Sequence, residues 1–367
     1  MMITMIVWCL IAVSVWYVPS RLKKLLGLRK AWPWHALFIG VVVGYALLLL
    51  KGVYTWDSAS IAVIFNALGL LLVFFIYLFF FLAVTHPLSF LIKRIAGRSL
   101  GICGISVSAL FVILGFINAQ SFVVVHYDLP VKGLERPVRL VHVPDIHLGT
   151  QRGESWLKKI LNAVNEQKPD MVLYNGDLVD SNLALKPELF SLFKAVDAEQ
   201  YFTLGNHEYY MDTDKALQLI ADAGIRILRS EMIETHGIQL IGMEYMNADR
   251  ETYDAHAVNA LTIQEELPRI ARDAEKPSVL VHHSPVGMRY AAEGNIDVML
   301  SGHTHGGQFF PGTALVKYRF PMYSGRYQIG GTTVLVSQGA GTFGPWMRLG
   351  TRNEVQVINL LPAASSQ

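Results

Sequence analysis

Long, nearly uninterrupted apolar runs fill the sequence from Met1 to about Gln120. From Ser121 onward they give way to short apolar runs that alternate with amphipathic and Gly-containing stretches. Crossing a hydrocarbon core takes about 20 apolar residues. Runs at 2–18, 34–50, 61–85 and 101–120 approach or meet that length, so the pattern predicts a membrane anchor of about four transmembrane helices over 1–120. The first run lacks a basic leader and a small-residue cleavage site, which marks a retained helix rather than a signal peptide. Residues 121–367 remain, enough for one large globular domain.

In that second part, apolar runs end abruptly in polar turns. Val138–Val143 leads into Pro144-Asp145-Ile146-His147, and Met171–Tyr174 into Asn175-Gly176-Asp177. Tyr201–Leu204 leads into Gly205-Asn206-His207-Glu208, Ser278–Val281 into His282-His283-Ser284-Pro285, and Asp297–Leu300 into Ser301-Gly302-His303-Thr304-His305. Such runs suit buried strands. Between them, Ser155–Val164 and Lys215–Ala223 carry apolar residues at helical spacing; Asp212 or Asp214 would cap the second and Gly224 would end it. Strand-helix alternation indicates an α/β architecture. In such sheets functional groups gather beyond the carboxyl ends of the strands.

Charge and cysteine content narrow the picture. The formal net charge is +2 with no basic block, so no nucleic-acid partner is expected. Both cysteines, Cys9 and Cys103, lie in apolar runs, which excludes disulfides and thiolate ligands from the globular part. Short inner loops are enriched in Lys and Arg. Arg21, Lys23, Lys24, Arg29 and Lys30 follow the first run and Lys93, Arg94 and Arg98 the third, whereas the second loop has Lys51 at its edge. Loops one and three are therefore expected inside. Four crossings then put the N-terminus and the globular domain outside, although Arg136 and Arg139 weaken the asymmetry. No Asp, Glu, Lys or Arg interrupts the four runs, and Asn66 and Asn118 suit helix packing, so an anchor fits better than a channel.

The chain has 12 histidines, and His147, His207, His282, His283, His303 and His305 occupy the strand-end turns with Asp145, Asp177 and Asn206. Imidazole and carboxylate together suit divalent Mn, Fe, Zn or Ni. Asp145/His147 and His303/His305, two residues apart just past a strand, form plausible ligand pairs, and Gly176, Gly205 and Gly302 permit tight turns beside them. His126, His142, His236 and His256 read as core or surface residues.

Asp145-Ile146-His147, Gly176-Asp177-Leu178-Val179-Asp180, Gly205-Asn206-His207-Glu208, His283 before Ser284-Pro285, and Gly302-His303-Thr304-His305 follow in an order that resembles calcineurin-like metallophosphoesterases. The continuations Gly306-Gly307-Gln308 and Ser337-Gln338-Gly339-Ala340-Gly341-Thr342 resemble the bacterial branch that includes membrane-associated phosphodiesterases. The similarity covers about 137–361. It implies a sandwich of two central β-sheets flanked by helices, and two divalent metal ions sharing one carboxylate. Asp145, His147, Asp177 and His305 would hold the first ion; Asp177, Asn206, His283 and His303 the second. The family's ligand stands two residues before the proline, which favours His283 over His282. A metal-bridging hydroxide would attack phosphorus in line. His207 would protonate the leaving alkoxide or stabilise charge, which with Asp177 makes the catalytic pair. Asp180 and Glu208 either orient imidazoles or cap loops, and both readings stand.

The expected function is hydrolysis of a phosphodiester or phosphomonoester, on a lipid or envelope-related phosphate given the bilayer anchor. The expected location is a bacterial inner or cell membrane with the catalytic domain extracytoplasmic. A nucleotide-sugar-lipid pyrophosphatase is an alternative that calls for a cytosolic site. A non-catalytic metal-binding membrane sensor is another, and filled ligand positions count against it. Phe309, Phe310, Phe343, Trp346 and Met347 form either an apolar lip beside the site or plain packing, the latter preferred. Arg289 and Arg348 are candidate phosphate contacts with no local feature to separate them from surface charge.

Overall fold

The computed structural model describes residues 2–50, 52, 55, 58–91, 97–245 and 263–363, with side chains from Leu10 onward except 90–91. Lys51, Lys93, Arg94 and His256 lie outside the described residues, as does the side chain of Cys9. Two compact units emerge: one holds the four N-terminal helices together with residues 344–349, and the other holds the rest of the globular portion.

The helices are α1 (Met2–Leu26), α2 (Trp32–Leu50), α3 (Ala59–Leu91) and α4 (Arg98–Asn118). Among the described residues three helices, at Trp32–Leu50, Ala59–Ser89 and Arg98–Asn118, are long and apolar enough to cross a membrane. α1 ends with Lys23 and Lys24 in its last turn. Aromatic stacking ties the group together, with Phe38 on Phe75 at 4.1 Å and Tyr45 on Phe65 at 4.8 Å. Asn118 donates to the Arg348 carbonyl at 3.0 Å, a packing contact inside this unit. Trp346 packs edge-on against Phe116 and Met347 is fully buried, so both belong to packing. Arg348 is also fully buried, and its backbone N–H bonds the Gly115 carbonyl, so it is not surface charge.

The globular unit starts with β1 (Phe122–Val131) and β2 (Val138–His142), then α5 (Glu154–Glu166), β3 (Met171–Asn175), α6 (Pro187–Phe190), β4 (Glu199–Thr203) and α7 (Thr213–Asp222). It continues through β5 (Arg226–Ile227), β6 (Glu231–Thr235), β7 (Ile238–Gly242), α8 (Ile263–Glu266), β8 (Ser278–Val281) and α9 (Met288–Glu293). β9 (Val298–Ser301), α10 (Gly312–Arg319), β10 (Gly325–Ile329), β11 (Thr332–Val336) and β12 (Asn353–Pro362) complete it. Two six-stranded mixed sheets form, ordered β1-β12-β2-β3-β4-β5 and β10-β11-β9-β8-β7-β6. β2, β3, β4 and β5 run parallel in the first, and β7, β8, β9 and β11 in the second.

The two-residue period of a strand explains the layering. Met171 and Leu173 enter the layer between the sheets with Leu140, Val279, Val281 and Leu300. Val172 and Tyr174 face the other way, into the layer covered by α5 and α7 with Trp156, Ile160 and Ile220. A smaller cluster, including Met288, Ala291 and Met299, seals the outer face of the second sheet. Asp212 caps α7 by accepting from the Lys215 N–H at 3.1 Å, worth about 1 kcal/mol. Gly224 closes the same helix with φ near 87°. The five strands that carry the polar turns therefore lie in neighbouring parallel positions of two face-packed sheets, and their carboxyl ends meet along one edge of the sandwich.

Candidate metal centre

The side chains named from the sequence converge beyond those strand ends. Asp145 and His147 follow β2, Asp177 follows β3, Asn206 and His207 follow β4, His283 follows β8, and His303 and His305 follow β9. Asp145, His147 and His305 offer ligand atoms within 4.8 Å of one another, as do His147, Asp177 and His207, and Asp177, His283 and His303. The Nε2 atoms of His147 and His305 stand 3.0 Å apart. His305 Nε2 lies 3.4 Å from Asp145 Oδ1, and His147 Nε2 3.6 Å from Asp177 Oδ2. His283 Nε2 lies 3.2 Å from Asp177 Oδ2 and 3.9 Å from Asp145 Oδ1. Imidazoles of both groups thus approach Asp177 Oδ2, at 3.2 and 3.6 Å, and Asp145 Oδ1, at 3.4 and 3.9 Å.

His282 turns away: its Nδ1 bonds the Ser284 carbonyl at 2.8 Å. His283 Nδ1 donates to the Asn175 carbonyl at 2.7 Å, which fixes the tautomer with Nε2 aimed at the carboxylates. His126 is exposed and His236 accepts from Arg136 at 3.0 Å, far from this edge in role and chemistry. Arg289 lies along α9 beside Glu293.

Asp180 and Glu208 hold loops and not imidazoles. Glu208, fully buried, accepts the N–H groups of Asp177, Leu178 and Gly205 at 2.8–3.0 Å and thereby splints the β3 turn to the β4 turn. Asp180 accepts the N–H and hydroxyl of Thr150 at 2.9 and 2.8 Å. Burial pushes both carboxyls up to about 7. Asp145 is gripped from across the sandwich, since the His303 N–H meets both its oxygens at 3.0 Å. Gly205 and Gly302 have ordinary φ, so they serve space and not turn geometry: a Cβ on Gly205 would run into the Asp177 carboxylate, and one on Gly302 into that of Asp145. Gly176, at φ 72°, does need glycine's freedom.

Sequence reasoning missed Asn175 and undervalued His142. Asn175 Nδ2 lies 3.1 Å from His142 Nε2 and donates to the Leu300 carbonyl at 3.0 Å; Oδ1 accepts from Thr203 at 3.0 Å. His142 Nδ1 donates to Gln356 Oε1 at 2.9 Å. This buried polar chain crosses between the sheets directly behind His283. The one available signal was a polar Asn and His ending otherwise apolar runs.

The electrostatics favour cations. Burial pushes the Asp177 carboxyl up, but His283, His207 and His147 together outweigh it and hold that group well below the usual range. Burial pushes His283 down, yet Asp177 and Asp145 raise it to about 10. Two buried carboxylates thus draw positive charge onto neighbouring imidazoles. Among the described residues none donates to the buried Asn206 Oδ1, while its Nδ2 is committed to Tyr210 at 3.1 Å. An orphaned carbonyl oxygen and inward Nε2 atoms around shared carboxylates are what a divalent metal site requires, so the residues fit the group the family uses.

The calcineurin-like phosphoesterase family model matches residues 138–307. A metallophosphoesterase of Campylobacter jejuni is 33% identical over 240 residues, 64% of this chain and 62% of the relative, so the chain spans about three-fifths of that relative's length. A zebrafish (Danio rerio) transmembrane protein with metallophosphoesterase domain is 31% identical over 363 residues, 89% of this chain and 79% of the relative. Among solved structures, the calcineurin-like phosphoesterase YfkN of Bacillus subtilis is similar with a TM-score of 0.35 at 15% identity, covering 63% of this chain and 91% of that one. The matched residues contain all five polar turns, and the zebrafish relative extends the similarity across most of the sequence; the chain belongs to the calcineurin-like phosphoesterase family.

Proposed function

We propose that the chain hydrolyses phosphoester bonds with two divalent cations, one held by Asp145, His147, Asp177 and His305 and the other by Asp177, Asn206, His283 and His303. One observation carries the reading: side chains from five separate strand ends bring buried carboxylates and imidazole nitrogens within 4.8 Å of one another in three overlapping groups. A bound pair of divalent ions supplies Lewis acidity and a nucleophile at neutral pH. The protein's part is orientation. Glu208 fixes the backbone beneath Asp177, His303 fixes Asp145, and the Asn175 carbonyl fixes His283. His207, 3% exposed, has its backbone N–H tied to Asp177 Oδ1 at 2.9 Å, which holds the residue beside that carboxylate, where its imidazole would give a proton to the leaving oxygen.

The apolar helices support an integral membrane protein. We assign residues 1–120 to an anchor of four spans and 121–367 to the catalytic domain, facing the extracytoplasmic side of a bacterial inner or cell membrane. A lipid or envelope-related phosphate then suits a bilayer-tethered enzyme. The test is direct: full-length protein, stripped by chelation and reloaded with Mn, is expected to hydrolyse bis(p-nitrophenyl) phosphate or p-nitrophenyl phosphate. No metal-dependent turnover of either ester would sink the reading. A reporter fused after Gln120 reads the side of the membrane, and cytosolic reporter activity would reverse the assigned orientation.

A further inference from the structure

Phe343 combines an open face with ring contacts to three imidazoles of the site. Its ring centre is 5.3 Å from that of His207, edge-on at 78°, and 6.1 Å from those of His147 and His305. Phe343 is 41% exposed, so it fills no core. Yet its position is enforced. The Gln308 side chain, itself buried, donates Nε2–H to the Phe343 carbonyl at 2.6 Å and accepts the Phe343 N–H on Oε1 at 2.9 Å. Gln308 is anchored in turn, its carbonyl accepting from Thr351 at 2.6 Å. The His207 ring also meets Tyr210, 5.1 Å away at 62°. The proposed proton donor therefore touches two aromatic rings, and the Phe343 ring, its backbone pinned, leaves a face open to solvent.

We infer that Phe343 is a specificity-determining residue that selects phosphoesters whose leaving group carries an apolar or aromatic surface. The inference rests on the proposed hydrolysis and adds the substrate class. A group departing toward His207 would shed water against the Phe343 face, which the two backbone hydrogen bonds hold beside that imidazole. A small hydrophilic alcohol would gain nothing from it. An aromatic ring and an alkyl chain share this chemistry, and the substrates below separate them.

The test compares kcat/KM of the Mn-loaded full-length protein for benzyl, hexyl and ethyl phosphate, with Phe343→Ala and the ring-retaining Phe343→Tyr. Phe343→Ala is expected to lower the benzyl-to-ethyl ratio about tenfold, and Phe343→Tyr to keep the wild-type ratio. A parallel fall in the hexyl-to-ethyl ratio identifies general apolar contact, and a fall for benzyl alone identifies ring recognition; either supports the inference. Calorimetric dissociation constants for benzylphosphonate and ethylphosphonate give the same comparison without turnover. Because each reading is a ratio within one variant, loss of fold or metal does not mimic it. Unchanged ratios in Phe343→Ala, alongside active wild type, overturn this inference alone. Wild type that hydrolyses none of these monoesters overturns the inference, and if it also leaves bis(p-nitrophenyl) phosphate intact the proposed hydrolysis falls with it.

Discussion

Asp145, His147, Asp177, His303 and His305 all adopt positive φ, between 52° and 69°. For an L-residue the left-handed region costs on the order of 1 kcal/mol, and here it is occupied by the side chains proposed to bind metal. Such strain gathers where function over-determines the backbone. It also explains the spacing of two in Asp145/His147 and His303/His305: left-handed turns after each strand bring both side chains to the same place. Residue types at strand ends were legible in the sequence because carboxylates and imidazoles there have few other uses. The strain was not, nor the roles of Glu208 and Asn175, since those depend on which backbone groups from distant segments come alongside. Asp177→Asn keeps size but removes the charge approached by His147 and His283. Steady-state turnover should fall ~100-fold or more; unimpaired rates would show that this carboxylate is not shared. His207→Ala should cost ~100- to 10,000-fold in kcat on an ester with a poor leaving group and much less on a nitrophenyl ester, which needs little protonation. Equal losses on both esters would remove the proton-donor role.

Strands β2, β3, β4, β8 and β9 were readable because each is a short apolar run stopped by a polar turn. β1 and β12 were not, because β12 pairs in parallel with β1 from the far end of the chain, Phe122 opposite Asn353, and nothing local encodes that partner. The β6–β7 hairpin, Glu231 opposite Gly242, escaped for want of apolar alternation in Glu231–Thr235. Where the sheets meet, a clamp of His142, Asn175 and Gln356 spans β2, β3 and β12 and reaches the Leu300 carbonyl of β9. His142 works there as a neutral ring, with Nδ1–H donating to Gln356 and Nε2 accepting from Asn175. Protonation would set an Nε2–H against the Asn175 amide hydrogens, donor against donor. Burial pushes His142 down to about 4. A folded-state value below the unfolded 6.5 means the stabilisation is intact above pH 6.5 and drains away as pH falls toward 4, amounting to roughly 3 kcal/mol at most. His282, pushed down to about 3 by burial, adds to the same slope. Denaturant midpoints of the full-length protein measured from pH 7.5 down to about 4.5 should therefore decline. His142→Gln should flatten part of that decline, and an identical pH slope in the variant would rule out the histidine as a source.

A domain that brings two buried carboxylates and several imidazole Nε2 atoms within a few ångströms, on turns of positive φ, gathers ligand atoms that cations would bind together. The Nε2 atoms of His147 and His305 meet at 3.0 Å, and among the described residues none donates to the Asn206 oxygen. Divalent ions would take these imidazole nitrogens and the amide oxygen as ligands. Metal binding should consequently stabilise the whole globular unit and not merely switch on turnover, because the ligands come from turns of both sheets and join strands far apart in sequence. A ligand present at 100 times its dissociation constant adds ~2.7 kcal/mol to the folded state, and in a domain near 250 residues that is a rise of about 5–10 °C in Tm. Intrinsic-fluorescence melts of the chelated protein titrated with Mn should show that rise, dependent on metal concentration. Asp177→Asn should lose most of it, since the substitution weakens both ion sites at once, whereas His207→Ala should retain it. A Tm indifferent to metal, or a full shift surviving in Asp177→Asn, would mean that the cluster is held together by its own hydrogen bonds and that the shared-carboxylate centre does not form.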